Sequence, residues 1–270
     1  MKEKFTEANR FLAEKEAEVI ENIECPEDKE DFEGQKVLII GGPDAHGVSM
    51  AVSSALYLEK RGAEPTIYVG SPVIREGRGA THPGAFYCKT VPNLNVTNYD
   101  RLIIVDIPLD FRDLSGSEKA IIELDERLRQ DRQQRKKPPL EHSTFYLDHH
   151  STTQFTAPHD SILIKNVPVA EACKLGNDKT LIGRIGAICD RDPATLPITS
   201  EEMMLARGLD AAVRPDPDDE RPSLPKNASE EEKQNYQEQL REWEDRAQQR
   251  LEEAVKRLKA EDWSYFKKEA

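Results

Sequence analysis

A strand–turn–helix–strand pattern in the first quarter of the chain constrains its fold more than any other feature. Residues 36–40 (KVLII) form an unbroken apolar run rich in β-branched side chains, which predicts a buried strand. A glycine-rich turn at residues 41–47 precedes a predicted helix from Val48 to Arg61, and a second strand follows at residues 65–69. This is a βαβ unit, so the sequence predicts an α/β fold with a parallel sheet flanked by helices.

Polar residues follow several of the predicted strands. Further strands are predicted at residues 101–105, 143–147 and 162–164, and helices at about residues 117–135 and at residues 179–189. Because the carboxyl ends of parallel strands open at one edge of a sheet, we expect the polar residues there to share a crevice. A polar turn with exposed histidines is the alternative for the histidine pair. The residues concerned are Asp44, His46, Asp106, Asp148, His149, His150 and Asp190.

Net charge and cysteine usage exclude several classes of protein. With 51 acidic and 38 basic residues the net charge is −13, which argues against non-specific binding to duplex DNA or anionic membranes. The four cysteines form no CxxC pair, and no apolar run approaches the roughly 18 residues of a membrane span. The N-terminus shows no secretory signal. We therefore expect a cytoplasmic protein without a membrane partner.

The chain is predicted to have three parts. Residues 1–34 form an N-terminal amphipathic helix and loop, residues 35–198 the α/β domain, and residues 199–270 a proline-rich acidic linker and a C-terminal helix. That helix begins with a Ser229–Glu232 capping box. Its apolar stripe is expected to pack on its own domain, with a protein partner or self-association as the alternative. A basic segment at residues 127–137 is predicted to form a solvated face.

The polar residues at the predicted crevice suit a divalent metal centre. Carboxylates and imidazoles without a cysteine or a Walker-type lysine are typical ligands of Mn²⁺ or Mg²⁺. Two such ions about 4 Å apart would clamp a phosphoryl group and acidify a water molecule. Taken alone, each position is a weak signal, since an aspartate after a strand such as Asp106 is often only a helix cap. Their order along the chain favours the metal-site interpretation.

The order of these motifs resembles that of the DHH phosphoesterase superfamily, which includes RecJ-like exonucleases and nano-RNases. The resemblance covers roughly residues 35–195. The four motifs correspond to the turn at residues 42–47, to Asp106, to the tripeptide at residues 148–150, and to residues 186–191. The resemblance implies a metal-dependent phosphoesterase with a Rossmann-like domain.

The resemblance also implies roles for individual residues. Asp106 would bridge two metals, Asp44 would hold the first, and His149 and Asp190 would hold the second. His150 would lie beside the substrate phosphate as a catalytic residue. Asp148 would orient the histidine pair, and His46 would stand at a metal-ligand position that usually carries an aspartate. A metal-activated water would attack phosphorus.

The chain departs from the superfamily pattern in its first motif and at its C-terminus. Gly42 stands where a histidine or an acid is usual, so we expect one tightly bound ion rather than two in the free protein. If position 42 faces the first metal site, Gly42→His should raise the metal stoichiometry. Residues 199–270 lack the glycine-rich motif of the substrate-gripping second domain. Arg78 and His82, in the glycine-rich loop at residues 77–84, are candidate phosphate ligands, with an ordinary surface loop as the alternative.

Two functions are consistent with these observations. The first is a Mn²⁺- or Mg²⁺-dependent phosphoesterase that hydrolyses a phosphate ester of a nucleotide or short oligonucleotide. The second is a catalytically degenerate scaffold or binding module in a nucleic-acid-processing complex. The retained acids and histidines favour the first, whereas Gly42 and the missing second domain favour the second. Metal binding and phosphate-ester turnover would discriminate between them.

Overall fold

The computed structural model describes residues 31–70, 94–107, 109, 114–149, 159–166, 180–190, 197–214 and 222–270. Within these residues the chain is an α/β fold of five strands and six helices, which confirms the predicted fold class. The strands are β1 (Lys36–Gly41), β2 (Glu64–Val69), β3 (Arg101–Val105), β4 (Thr144–Asp148) and β5 (Ile162–Asn166). The helices are α1 (Ala45–Lys60), α2 (Leu114–Gln134), α3 (Leu181–Cys189), α4 (Ser200–Val213), α5 (Glu230–Lys259) and α6 (Trp263–Glu269).

The five strands pair in parallel in the order β2-β1-β3-β4-β5. The chain passes from β1 outward to β2 and then returns to the other side of β1 to form β3. The strand order therefore reverses between β1 and β3, the point at which open α/β sheets form a ligand crevice at their carboxyl edge. The register brings the strand ends level, because Gly41 pairs with Val105 and Val105 pairs with Leu147.

Helices cover both faces of the sheet. Ile39 and Ile103 pack on one face in a buried cluster with α1, whereas Ile40 and Ile104 pack on the other face with α2. Strands buried on both faces need apolar side chains at successive positions, which explains the unbroken apolar runs in the sequence. The helices after β1 and β3 thus lie on opposite sides, and the crevice opens between them.

A second helical layer packs on the outer side of α1. Val52 of α1 shares a buried cluster with Ile185 of α3, Leu209 of α4, Leu251 of α5 and Phe266 of α6. No helix in the described ranges is both long enough and apolar enough to cross a bilayer. The C-terminal helices therefore hold α3 against α1, next to the crevice.

The apolar stripe of α5 is buried within the chain. The predicted capping box is present, since Ser229 and Glu232 exchange side-chain and backbone hydrogen bonds. Self-association or a protein partner at this helix stays a prediction. The buried residues of α5 are Tyr236, Trp243, Ala247, Leu251, Ala254 and Leu258.

The helices differ from the sequence prediction in their bounds and in their number. The turn before α1 is shorter than predicted, because the helix begins at Ala45 with Asp44 as its N-cap. Two helices, α4 and α6, were not predicted. Helix α4 has a capping box between Thr199 and Glu202, which is a sequence signal for the start of a helix. The apolar pattern that follows the box is short and did not by itself indicate a helix.

The basic end of α2 is not solvated throughout, contrary to the prediction for residues 127–137. Arg132 is buried, and it pairs with the fully buried Asp100 just before β3. Hydrogen bonds from the surrounding cations lower the pKa of Asp100 despite its burial. This cluster anchors α2 to the amino edge of the sheet. The groups that donate to Asp100 are Arg132, Arg135, Lys137 and the backbone of Lys36.

We expect Asp100→Asn to lower the free energy of unfolding by roughly 3–5 kcal/mol at pH 7, because it leaves several cations around a neutral amide. The pKa of Asp100 is lowered in the folded state, so its stabilising effect is complete above about pH 4 and is lost as pH falls further. Urea unfolding of both proteins at pH 7, 5 and 3 should show the difference shrinking below pH 4.

Glu123→Gln is the matched control for this measurement. Glu123 forms an exposed ion pair with Lys119 over 3.5 Å, and such pairs contribute about 0.5 kcal/mol or less. A cost below about 1 kcal/mol for Asp100→Asn would show that the cluster does not stabilise the fold.

Candidate metal centre

Strand ends and helix ends deliver polar side chains to the crevice. Asp106 follows β3 and has a left-handed backbone with φ of +54°, a conformation that is costly for residues other than glycine. Asp44 caps the N-terminus of α1 by accepting a 2.8 Å hydrogen bond from Gly47 N. His46 lies in the first turn of α1, and Asp190 is the C-cap of α3. Residues distant in sequence therefore converge.

A single carboxylate oxygen lies between the two histidines. Oδ1 of Asp106 is 3.1 Å from Nε2 of His149 and 3.1 Å from Nδ1 of His46. Nε2 of His149 is also 3.3 Å from Oδ2 of Asp190. The two imidazole rings meet edge to face, with centroids 5.0 Å apart. Asp106 is thus the centre of the cluster.

His46 is buried without a hydrogen-bond partner. Its side chain is 3% exposed, and neither ring nitrogen makes a hydrogen bond with the described residues. Nδ1 approaches Asp106 at ion-pair distance but not with hydrogen-bond geometry. An unsatisfied buried polar group is destabilising, and a metal ion bound by one of these nitrogens would relieve that cost.

Burial decreases from the floor of the crevice to its rim. Asp106 and Asp148 are buried, whereas the side chain of His149 is 14% exposed and that of Asp190 is 36% exposed. Asp44 is exposed at the rim. The ligand atoms of Asp106, Asp148 and His149 lie within 4.8 Å of one another, and so do those of His46, His149 and Asp190. Both triads include His149, so this histidine could contribute to either donor set.

The charges of the cluster are strongly coupled. Burial alone would lower the pKa of His46, but the charge of Asp106 raises it to about 9. Burial alone would raise the pKa of Asp106, but the two histidines lower it well below its usual range. Desolvation of its carboxyl group by the surrounding protein and the charge of Asp106 raise the pKa of Asp44 to about 6. The Asp106 carboxylate therefore favours a positive charge beside it, which a proton on His46 or a bound cation would supply.

Close backbone contacts hold the crevice together. A Cβ atom at Gly42 would lie 2.6 Å from the backbone oxygen of Asp106, and one at Gly186 would lie 2.1 Å from Oγ of Ser49. Ser49 also donates a 2.8 Å hydrogen bond to the backbone oxygen of Ile182, which fixes α3 against α1. Sequence reasoning missed this role of Ser49. Its position one turn after the Asp44 cap was the available signal.

These donors fit a divalent cation. The cluster contains imidazoles and carboxylates, and it has two buried nitrogens without partners. Such a mixed nitrogen and oxygen set suits first-row divalent ions. Cys189, next to Asp190, does not belong to the metal ligands. Its thiol donates a hydrogen bond to the backbone oxygen of Ala206, and burial raises its pKa to about 12.

The structure brings together most of the predicted site residues. Asp44, His46, Asp106, Asp148, His149 and Asp190 all lie at the carboxyl edge of the sheet. Their individual metal and catalytic roles stay predictions. Three predicted residues, Arg78, His82 and His150, lie outside the described part of the chain.

Comparison with solved structures finds similarity to RecJ exonucleases. An exonuclease RecJ bound to manganese matches with a TM-score of 0.36 and 16% identity, over 84% of this chain and 62% of that chain. RecJ from Thermus thermophilus in complex with Mn²⁺ matches with a TM-score of 0.32 and 16% identity, over 69% of this chain and 22% of that chain. This chain therefore spans less than two thirds of either exonuclease. Sequence comparison finds no matching protein family and no matching curated protein.

From its packing we expect Gly42→His not to add a metal ligand, which differs from the expectation drawn from the sequence. The new Cβ would clash with the backbone oxygen of Asp106, so the ends of β1 and β3 would have to separate and displace the central carboxylate. We expect the variant to lower both the unfolding midpoint and the Mn²⁺ affinity without raising the stoichiometry. Calorimetric Mn²⁺ titration and thermal unfolding measure these changes.

Gly42→Ala is the matched control, because it introduces the same Cβ clash without an imidazole. Similar losses in both variants would attribute the effect to the backbone contact. A rise in Mn²⁺ stoichiometry in Gly42→His alone would show that position 42 faces the metal after all.

Proposed function

We propose that this chain is a DHH-type phosphoesterase that hydrolyses a phosphate ester of a nucleotide or short oligonucleotide with the help of a bound divalent cation. The observation that carries the proposal is the convergence of His46, His149, Asp106 and Asp190 at the strand-order reversal, with both ring nitrogens of His46 lacking partners. A divalent cation would satisfy these donors, and such an ion is a common catalyst of phosphate-ester hydrolysis.

The residues that would hold the cation are His46, His149, Asp106 and Asp190, with Asp44 at the rim. When bound, Mn²⁺ or Mg²⁺ would supply Lewis acidity toward a phosphoryl oxygen and toward water. One tightly bound ion is proposed for the free protein, because Gly42 offers no side-chain donor to a second one.

The protein's own residues organise this space. The two histidines lower the pKa of Asp106, so its carboxylate stays ionised at neutral pH and keeps a fixed negative charge at the floor. Its left-handed backbone turns it away from the strand direction. The side chains of Asp190 and His149 are partly exposed, so a phosphate group that enters from solvent would reach them. His150 is proposed to contact that phosphate.

A second candidate function is a non-catalytic scaffold in a nucleic-acid-processing complex. Two observations favour it. Gly42 has no room for a ligand, and one of the two oxygens of the Asp44 carboxylate already accepts the capping hydrogen bond from Gly47. Both reduce the donors available for a second ion. This candidate predicts a protein that turns over no phosphate ester at any metal concentration.

His149→Ala should lower kcat/KM for phosphate-ester hydrolysis at least about a hundredfold, because His149 belongs to both donor triads. The measurement uses bis(p-nitrophenyl) phosphate and a short single-stranded oligonucleotide with added Mn²⁺. Chelation by EDTA should abolish turnover, and Mn²⁺ should restore it.

His142→Ala is the matched control, since His142 lies at the opposite edge of the sheet beside Phe145. It should keep the wild-type rate. Absence of both micromolar Mn²⁺ binding and turnover in the wild-type protein would favour the scaffold instead.

A further inference from the structure

We infer that a cavity at the amino edge of the sheet is a second ligand site, which binds a nucleotide through its phosphate. The cavity has a volume of about 830 Å³, and small-molecule sites in proteins have volumes of roughly 300–1,000 Å³. It lies between the C-terminal end of α2 and the residues just before β4 and β5, so the length of β4 separates it from the metal centre. Binding at this cavity is independent of the proposed phosphoesterase activity.

Cations predominate in the lining of this cavity, although the chain as a whole is acidic. Four lysine and arginine side chains line it together with two carboxylates, whereas the whole sequence has 38 basic and 51 acidic residues. Positive charge in a concave surface attracts anions, because the low-dielectric walls focus its field. The cations are Arg129, Arg132, Lys136 and Lys137, and the carboxylates are Glu141 and Asp160.

Two of the four cations have unused hydrogen-bonding capacity. Arg132 and Lys137 are engaged by one buried carboxylate at the amino edge. The Lys136 ammonium forms no ion pair with the described residues. Arg129 donates a 3.0 Å hydrogen bond from Nε to Asp125, and its half-exposed guanidinium leaves the two terminal nitrogens to a ligand. Phosphate oxygens are strong acceptors for guanidinium and ammonium groups.

Lys136 adopts a backbone conformation that is unfavourable for a lysine. It follows α2 with φ of +57°, in the left-handed region that glycine enters at little cost. The helix ends in a Schellman motif, since the backbone N–H of Lys137 donates to Arg132 and that of Lys136 donates to Gln133. Glycine is the usual residue at this position of the motif. The lysine therefore costs stability and places a cation in the lining of the cavity.

The rest of the lining suits the other parts of a nucleotide. Pro138, Pro139 and Leu140 form an apolar wall that a base can contact. Glu141 and Asp160 are exposed carboxylates, and such groups accept hydrogen bonds from ribose hydroxyls in dinucleotide-binding folds. Inorganic phosphate would use the cations alone. The cavity therefore favours a nucleoside monophosphate, which combines the three kinds of group.

The test is calorimetric titration of the full-length protein with adenosine monophosphate, adenosine and inorganic phosphate. EDTA in every titration removes divalent ions, so the metal centre neither binds the nucleotide through a metal nor hydrolyses it. We expect the nucleotide to bind at least about tenfold tighter than adenosine or phosphate, since one charge-assisted hydrogen bond contributes about that much. Absence of nucleotide binding at millimolar concentration, or equal affinity for adenosine or for inorganic phosphate, would overturn the inference.

Lys136→Gly separates ligand binding from stability. Glycine relieves the left-handed strain, so the variant should not lower the unfolding midpoint, yet it should weaken nucleotide binding at least about tenfold. Lys119→Gln is the matched control, because it removes a cation from a 75% exposed position of the same helix, where Lys119 pairs with Glu123. It should keep the wild-type affinity. Unchanged affinity in Lys136→Gly, or an equal loss in the control, would contradict a phosphate site at Lys136.

A second measurement needs only the wild-type protein. Lys136 and Lys119 are both exposed, so both should react with an acetylating reagent. Adenosine monophosphate should slow acetylation at Lys136, because the bound phosphate covers its ammonium group, and should leave Lys119 unaffected. Mass spectrometry of the digested protein measures both rates. Equal protection of the two lysines, or protection of neither, would place the nucleotide elsewhere and reject the site.

Discussion

The level register of β1, β3 and β4 is the constraint on which the site depends. Gly41, Val105 and Leu147 lie side by side across the three strands, so the residues that follow them start from the same edge. A slip of one residue in either pairing would also exchange the two faces of a strand and expose its apolar side chains. The buried core on both faces thus fixes the position of Asp106 relative to its neighbours.

Buried carboxylates at the two edges of the sheet have different surroundings. At the amino edge, Asp100 is surrounded by cations, and Asp125 accepts hydrogen bonds from three hydroxyl groups. At the carboxyl edge, Asp106 lies against two histidines, and one of them, His46, lacks hydrogen-bond partners within the described ranges. The carboxylates at the amino edge have their bonding partners within the protein, and these contacts stabilise the fold. The second has unused bonding capacity, which is what a ligand site requires.

Sequence reasoning anticipated the parallel sheet and the residues of the crevice, because strand periodicity and polar residues after strands are local signals. It missed what depends on tertiary contact. The burial of Arg132 follows from the position of Asp100, which is distant in sequence. Likewise, the reason for Gly42 is the backbone of Asp106 rather than a lost ligand, and no local pattern encodes that approach. Helix α4 was missed although its capping box was visible.

The contact between α3 and α1 links the crevice to the far end of the chain. Asp190 terminates α3, and α3 is held in place by Ser49 on one side and by α4 on the other. Because α4, α5 and α6 share one core with α3, displacing the C-terminal helices would also displace the helix that ends at Asp190. The crevice therefore depends for its Asp190 wall on helices that lie far along the chain.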